Sequence, residues 1–186
     1  MEKIKRINRE LKFSGTIIDF YQDTILVDDT HTTTYDYIHH KGAAAVVPVL
    51  DDGRILMVTQ YRNALDRYTL EIPAGALDAI DEPGIDCATR ELEEETGYRS
   101  DHLEWLITLR TTVAFCNERI EVYVAHKLIP SKQQLDEDEF IDVKAYTLSE
   151  LKEKIFRGEI EDSKTIASLL AYESKYLKLM HGLKNN

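Results

Sequence analysis

The residues able to do chemistry concentrate between Gly75 and Tyr98 of this 186-residue chain. Glu91, Glu94 and Glu95 stand at i, i+3 and i+4, a spacing that puts three carboxylates on one face of a helix. Like charges at that spacing cost a bare helix roughly 0.2–0.5 kcal/mol per pair, so their presence asks for a reason. Leu92 and Ala88 point elsewhere, toward a core. A carboxylate cluster beside a buried face suits a hard divalent cation, which takes oxygen ligands, keeps water and completes its shell with substrate phosphates. Bound cations would also reverse the local sign and admit a pyrophosphate. A plainer reading competes: glutamate runs are commonly solvated faces, here with Arg90 paired to Glu94 at i, i+4.

The wider spacing favours the first reading. Arg90-Glu91-Leu92-x-Glu94-Glu95-x-Gly97-Tyr98, with Glu82 eight positions before Arg90, resembles the Nudix box G-x5-E-x7-R-E-U-x-E-E-x-G-U, in which U is a bulky aliphatic residue. Two departures stand out: six residues, not five, separate Gly75 from Glu82, and Tyr98 replaces the last aliphatic. Beyond the box the chain is similar to the ADP-ribose pyrophosphatase branch of the Nudix family. Phe13-Ser14-Gly15, His40-Lys41-Gly42-Ala43, Gln60-Tyr61-Arg62, Glu71-Ile72-Pro73-Ala74-Gly75, Leu135-Asp136-Glu137-Asp138-Glu139 and a closing pair of helices carry that likeness.

The resemblance implies an α+β fold, a Nudix α/β/α sandwich with a mixed sheet, over residues 42–186. Residues 1–41 would form an N-terminal antiparallel β-lobe that mediates homodimerisation and nucleotide contacts. It implies two to three Mg²⁺ or Mn²⁺ ions held by Glu91 and Glu95, with Glu94 close by and the Ala74 carbonyl as a further ligand. Arg90 would orient the glutamates through salt bridges, and Glu82 would tie down the loop. A general base must reach the attacking water; in related enzymes a glutamate of an acidic loop fills that role, which points to Glu137 first and Glu139 second. The implied reaction is hydrolysis of the pyrophosphate link of ADP-ribose or a related nucleoside diphosphate sugar, giving AMP and a sugar phosphate.

Other positions are read from their chemistry. The Arg62 guanidinium suits phosphate oxygens. Glu71 either hydrogen-bonds the nucleotide or supports its loop, and Glu118 is placed to line a pocket. An adenine needs an aromatic or arginine face, for which Phe13, Phe20, Tyr35 and Tyr37 are candidates. One departure bears on substrate choice. Members acting on ADP-sugars carry a proline some sixteen residues after the box, and here Ala114 stands in its place, between Thr111-Thr112-Val113 and Phe115-Cys116-Asn117-Glu118. Alternative readings keep the chemistry but change the substrate to another nucleotide sugar, a dinucleotide or a damaged nucleotide, or make the chain a non-catalytic ADP-ribose sensor. Retention of Glu91, Glu94 and Glu95 argues against a sensor, and no D-x-[DN]-x-[DN]-G loop supports a Ca²⁺ module.

The elements that must position these residues follow from patterning. Lys12–Tyr21, Thr24–Val27 and Thr32–His39 read as a small antiparallel sheet, with a turn at Asp28–His31. Ala43–Leu50 and Ile55–Tyr61 flank Asp51-Asp52-Gly53-Arg54, a hairpin signal. Thr69–Pro73 is a short strand. A helix is expected over Pro83–Thr96, with Asp81 or Glu82 as cap and Gly97 closing it. Strands follow at Leu103–Phe115, Arg119–Leu128 and Phe140–Tyr146. Thr147-Leu148-Ser149-Glu150 is a capping box opening a helix to about Phe156, and a last helix runs from about Ser163 to Leu179. The net charge of −11, from 34 acidic against 23 basic residues, counts against nucleic acid or an anionic membrane as partner. No apolar run is long enough to span a bilayer. The N-terminus lacks a signal-peptide pattern, and Cys87 and Cys116 lack metal-ligand spacing. A cytoplasmic protein with both thiols packed inside is the expectation.

Overall fold

The computed structural model describes residues 3–137 and 139–177. Its contacts divide into two compact units. One takes in the chain up to Gly42 together with Arg110–Arg119; the other takes in Ala43–Leu109 together with the described residues from Ile120 onward.

The first unit is built on a three-stranded antiparallel sheet, β1 (Ile4–Ser14), β2 (Asp19–Val27) and β3 (His31–His39), in that spatial order. The sequence reading of one strand over Lys12–Tyr21 is corrected here, because the chain turns between Ser14 and Asp19. Gly15 N–H donates to the Ile18 carbonyl at 2.9 Å and Ser14 Oγ to Asp19 Oδ1 at 2.6 Å. A Cβ on Gly15 would lie 2.8 Å from that same carbonyl, so only glycine fits. The β-branched run around the turn hides it from strand propensity. The β2–β3 turn falls where expected, with Asp28 and Asp29 in the left-handed region. The segment Arg110–Arg119 joins this sheet through backbone bonds from Ile38 N–H to Phe115 O and from Asn117 N–H to Ile38 O. The Asn117 side chain brackets the His40 backbone, accepting from its N–H at 2.7 Å and donating to its carbonyl at 3.2 Å. The strand expected over Leu103–Phe115 therefore ends early.

The second unit holds β4 (Ala43–Pro48), β5 (Ile55–Arg62), β6 (Arg67–Glu71), β7 (Ala74–Ala76), α1 (Gly84–Thr96), β8 (Tyr98–Arg99), β9 (His102–Arg110), β10 (Arg119–His126), β11 (Ile129–Pro130), β12 (Asp142–Tyr146), α2 (Leu148–Phe156) and α3 (Ser163–Tyr172). A π-helical turn, Glu173–Leu177, follows α3, and the remainder of the expected last helix lies outside the described residues. Sheet order is β7-β4-β10-β9, with β4 and β10 parallel and β4 and β7 antiparallel. A second sheet, β12-β5-β6, is antiparallel, and β8 pairs with β11. The Asp51–Arg54 turn forms as expected, with Gly53 at φ +83°, but the strands it joins enter different sheets after a single Val49–Ile55 bridge. β4 ends at Pro48, although the Val49 N–H still donates to the Ala125 carbonyl at 2.8 Å.

The run Ala44-Ala45-Val46-Val47 is buried throughout because β4 is covered on both faces. Ala44 and Val46 pack with Tyr123 and Ala125 of β10 against Cys87, Ala88 and Leu92 of α1. Ala45 and Val47 pack with Val122 and Val124, Ile55, Met57 and Ile72 against Leu151 of α2 and Leu169 and Tyr172 of α3. Helix, sheet and helix form the three layers expected of the fold class. The capping box is present: Thr147 Oγ1 accepts from Glu150 N–H at 3.2 Å, and Glu150 Oε2 accepts from Thr147 N–H at 2.8 Å. At α1, by contrast, Pro83 takes the N-cap position without a side-chain cap, in place of Asp81 or Glu82. Replacing Thr147 by Ala removes one half of its box and is expected to lower stability by about 1 kcal/mol. A shift of the urea midpoint with unchanged slope checks this, and an unshifted midpoint contradicts it.

Candidate active site

Helix α1 is amphipathic, and the acidic side of it runs against β7. Glu95 is 3% exposed and accepts a hydrogen bond from the Ala74 N–H at 3.0 Å. Glu91 lies over Gly75 so closely that a Cβ added there would fall 2.0 Å from its Oε1. Burial pushes the Glu91 carboxyl up to about 7, with Arg90 opposing. Burial pushes Glu95 up to about 8, reinforced by the charge of Glu91. Glu94 sits on the exposed shoulder of the same face.

Arg90 binds several groups on and beside this face. Its Nη1 donates to Glu91 at 2.5 Å and to Glu94 at 3.2 Å, and its Nη2 donates to the Ala76 carbonyl at 3.2 Å. Asp78 and Glu82 stand 3.5 and 3.6 Å away. Burial works against the guanidinium charge, but the charge and hydrogen bond of Glu91, with Glu94, raise its pKa overall. Glu82 also accepts from the Asp78 N–H at 2.6 Å and so closes the loop before α1. Cys87 packs beneath, its thiol pushed by burial up to about 12; Cys116, in the other unit, is only partly buried.

The donors fit a hard cation in kind: carboxylate oxygens, those of Glu95 buried and those of Glu91 largely so, on a helix seated against a cradle that only glycine allows. They are not gathered into a ready-made cage, since among the described residues no three His, Cys, Asp or Glu side chains converge as a metal-holding group. Arg90 bridges Glu91 and Glu94 instead. At Ala74 it is the amide that meets Glu95.

The acidic loop is fastened to the far end of α1. Gly97, at φ +70°, closes the helix, and residues 131–134 then take up its free carbonyls. Gln134 N–H donates to Glu94 O at 3.0 Å, Gln133 Nε2 to Glu95 O at 2.7 Å and Ser131 N–H to Gly97 O at 2.7 Å. From there Glu139 acts on the acidic face, its charge raising both Glu91 and Glu95. Glu137 and Glu139 are both exposed, and Glu137 is not among the dominant charges at either carboxylate. Asp138 lies outside the described residues.

Arg62 and Glu71 form a second polar group. Glu71 is 2% exposed and accepts from Arg62 Nε at 2.8 Å, Arg62 Nη2 at 2.6 Å, Thr69 Oγ1 at 2.6 Å and Lys164 Nζ. Burial opposes its charge, but the hydrogen bond from Arg62 and the charge of Lys164 hold it down at about 2. With both oxygens engaged, Glu71 supports the strand pair. Arg62 keeps its Nη1 free of hydrogen bonds to described residues, and its charge and that of Glu95 act on each other. Lys164 was missed by the sequence reading. Its signal was Asp162, which caps α3 by accepting from Thr165 N–H at 2.9 Å and thereby fixes the first helical turn.

Glu118 belongs to the first unit, where it accepts from Thr111 at 2.6 Å and stands 3.8 Å from His40 Nδ1. That unit has its own open cleft of about 570 Å³, lined by Phe20, Tyr35, Ile38, Ala114 and Phe115 among others. Of the adenine candidates, Phe20 and Tyr35 line it. Tyr37 stacks instead under Arg9, 3.5 Å from its guanidinium carbon, and Phe13 is exposed opposite Phe20 in the sheet.

A carboxylate helix laid against a glycine-bearing strand, inside an α/β/α sandwich, is the arrangement of a pyrophosphate-processing hydrolase, and residues 39–169 match the NUDIX domain. The chain belongs to the Nudix family and is a hydrolase of it. Nudix hydrolases generally use divalent metals such as Mg²⁺. The chain is 38% identical over 182 residues to the ADP-ribose pyrophosphatase of Bacillus subtilis (strain 168), covering 97% of this chain and 95% of that one. It is equally similar, 38% over 183 residues and 97% and 96% of the two chains, to the methanol dehydrogenase activator of Bacillus methanolicus. The crystal structure of an ADP compounds hydrolase superposes with a TM-score of 0.84 over 97% of both chains at 19% identity, a likeness of fold. Among the described residues no helix is long and apolar enough to cross a membrane.

A pH dependence follows from the raised carboxyls. Glu91 and Glu95 hold protons in the folded chain that the unfolded chain releases near the ordinary glutamate value, so the folded state binds more protons over that interval. Stability of the protein kept in chelator is therefore expected to fall as pH rises from the ordinary glutamate range through about 7 to 8. Mn²⁺ should raise the melting temperature more at pH 8 than at pH 5. A melting temperature that climbs with pH over this interval in chelator would contradict the assignment.

Proposed function

We propose that the chain hydrolyses the pyrophosphate link of ADP-ribose or a closely related nucleoside diphosphate sugar, yielding AMP and a sugar phosphate, with divalent cations held at Glu91 and Glu95 beside Glu94 and Ala74. The observation that carries this reading is the pair formed by buried Glu95 and largely buried Glu91, seated against the Ala74 amide and Gly75. Full-length similarity to ADP-ribose pyrophosphatases supports the substrate class. Bound Mg²⁺ or Mn²⁺ would neutralise the pyrophosphate and make its phosphorus open to attack. The protein's own part is to hold and to move a proton. Arg90 orients Glu91 and Glu94, and Arg62 presents Nη1 to a substrate phosphate. Glu139, rather than Glu137, accepts the proton of the attacking water; the water oxygen bonds one phosphorus and the bridging P–O bond breaks in line. What favours Glu139 is its field at Glu91 and Glu95.

The test is a panel of nucleotide sugars and dinucleotides, incubated with Mg²⁺, Mn²⁺ or EDTA, with products separated chromatographically. Metal-dependent release of AMP from ADP-ribose, abolished by Glu95→Gln, is the expected result. Glu139→Gln should lower kcat by about 10²-fold or more, the scale of a lost general base, whereas Glu137→Gln should change it less than about threefold. Equal losses in the two would return the base to either position. Cleavage of a different sugar nucleotide would relocate the substrate, and tight binding of ADP-ribose without turnover would make the chain a sensor.

We infer in addition that the first unit pairs two copies of the chain. Strand β1 is an open edge, and Ile4, Ile7, Leu11 and Phe13 on it are each at least half exposed. Light scattering of the purified protein should give the mass of a dimer, and Leu11→Asp with Phe13→Asp should give that of a monomer. A monomeric parent protein would refute the pairing.

A further inference from the structure

The setting of Arg62 contains one cation more than an ion pair needs. Glu71 is already matched on both oxygens by the Arg62 fork. Lys164, from the first turn of α3, is itself buried and yet donates to the same Glu71 Oε2. Its second acceptor is Asp162 Oδ2, at 2.9 Å, the atom that also caps α3 through Thr165 N–H and Thr165 Oγ1 at 2.9 and 2.6 Å. Two cations thus face two carboxylates, and Thr69 and Thr165 fill the remaining acceptor positions. A buried network holds its shape when every member is satisfied and is costly when one is removed.

Resting on the reading of Arg62 as a phosphate contact, we propose that Lys164 is a positioning residue for that contact: by sharing Glu71 and neutralising Asp162, it leaves Arg62 Nη1 available to substrate. Without Lys164, two carboxylates would confront one guanidinium. The Arg62 side chain, 39% exposed and the freer of the two cations, would be drawn in to compensate. Its Nη1 would then be lost to the substrate, while the β5–β6 pair and α3 would keep their backbone bonds. The reaction itself does not pass through Lys164, so the loss falls on binding and not on the chemical step.

Steady-state kinetics on the full chain with ADP-ribose and Mg²⁺ test this through four proteins: the parent, Lys164→Met, Arg62→Ala and the double variant. Lys164→Met should raise KM about tenfold and change kcat less than about twofold, the pattern of a lost binding contact. In the Arg62→Ala background the same substitution should change KM less than about twofold, because residues acting through one another are not additive. Lys164→Arg, which returns a cation to the network, should recover most of the affinity and serves as the readable variant if Lys164→Met does not fold. The same tenfold rise in both backgrounds would overturn the proposal in favour of a general structural role, as would a fall in kcat at constant KM. A rise in KM for Lys164→Met with none for Arg62→Ala would overturn the route through Arg62. Failure of the parent protein to turn over any substrate is a separate result, and it would refute the pyrophosphatase reading itself.

Discussion

Buried negative charge is the constraint from which the rest of the second unit is organised. Two glutamates of one helix are turned into the protein, where an unpaired carboxylate is expensive, and nearly every nearby feature answers to them. Gly75 gives up its side chain to make room for Glu91, the Ala74 amide donates to Glu95, and Arg90 sets its charge between Glu91 and Glu94. Their raised pKa values show that these devices stop short of full compensation. A cluster left under-neutralised by its own protein has affinity for a cation and, through it, for a polyanionic substrate.

The same helix exports its organisation through its last turn. A helix ends with carbonyls that lack partners, and here the chain returns from β11 to supply them, with Ser131, Gln133 and Gln134 each taking one. Gly97 allows the sharp closure, and a side chain there would meet Gln133 N at 3.1 Å. The acidic loop is therefore a dependent of α1, although some forty residues separate them in the chain. That is how Glu139 comes to act on Glu91 and Glu95.

The parts readable from sequence are those in which local chemistry and tertiary structure agree. The spacing of Glu91, Glu94 and Glu95, the closing Gly97 and the Thr147–Glu150 box are all short-range statements, and the structure carries each of them. Long-range geometry was not legible in the same way. Asp51–Arg54 spelled a hairpin, and the turn formed, but nothing local revealed that β4 and β5 part into separate sheets. The Gly15 turn was masked by its β-branched neighbours. Glu137 and Glu139 are indistinguishable as letters in an acidic run and differ in the charge each brings to bear on Glu91 and Glu95. Lys164 carries no local signal of its burial, because its partner Glu71 lies 93 positions earlier in the chain.

The loop between Gly75 and Glu82 carries one residue more than the box pattern, and both of its ends are held. Gly75 is pinned beneath Glu91 at one end, while at the other Glu82 holds the Asp78 amide and faces Arg90. Between these anchors Ala76 is still held by β4 and Arg90 and Leu77 packs on the core, but residues 78–81 are exposed, so the length of the loop is free to vary there. The interval from Glu82 to Arg90 is different, since it crosses the first turns of α1 and any change would rotate the arginine off its partners. Over evolutionary time the first interval can drift by insertion and deletion, while the second is locked to the pitch of a helix.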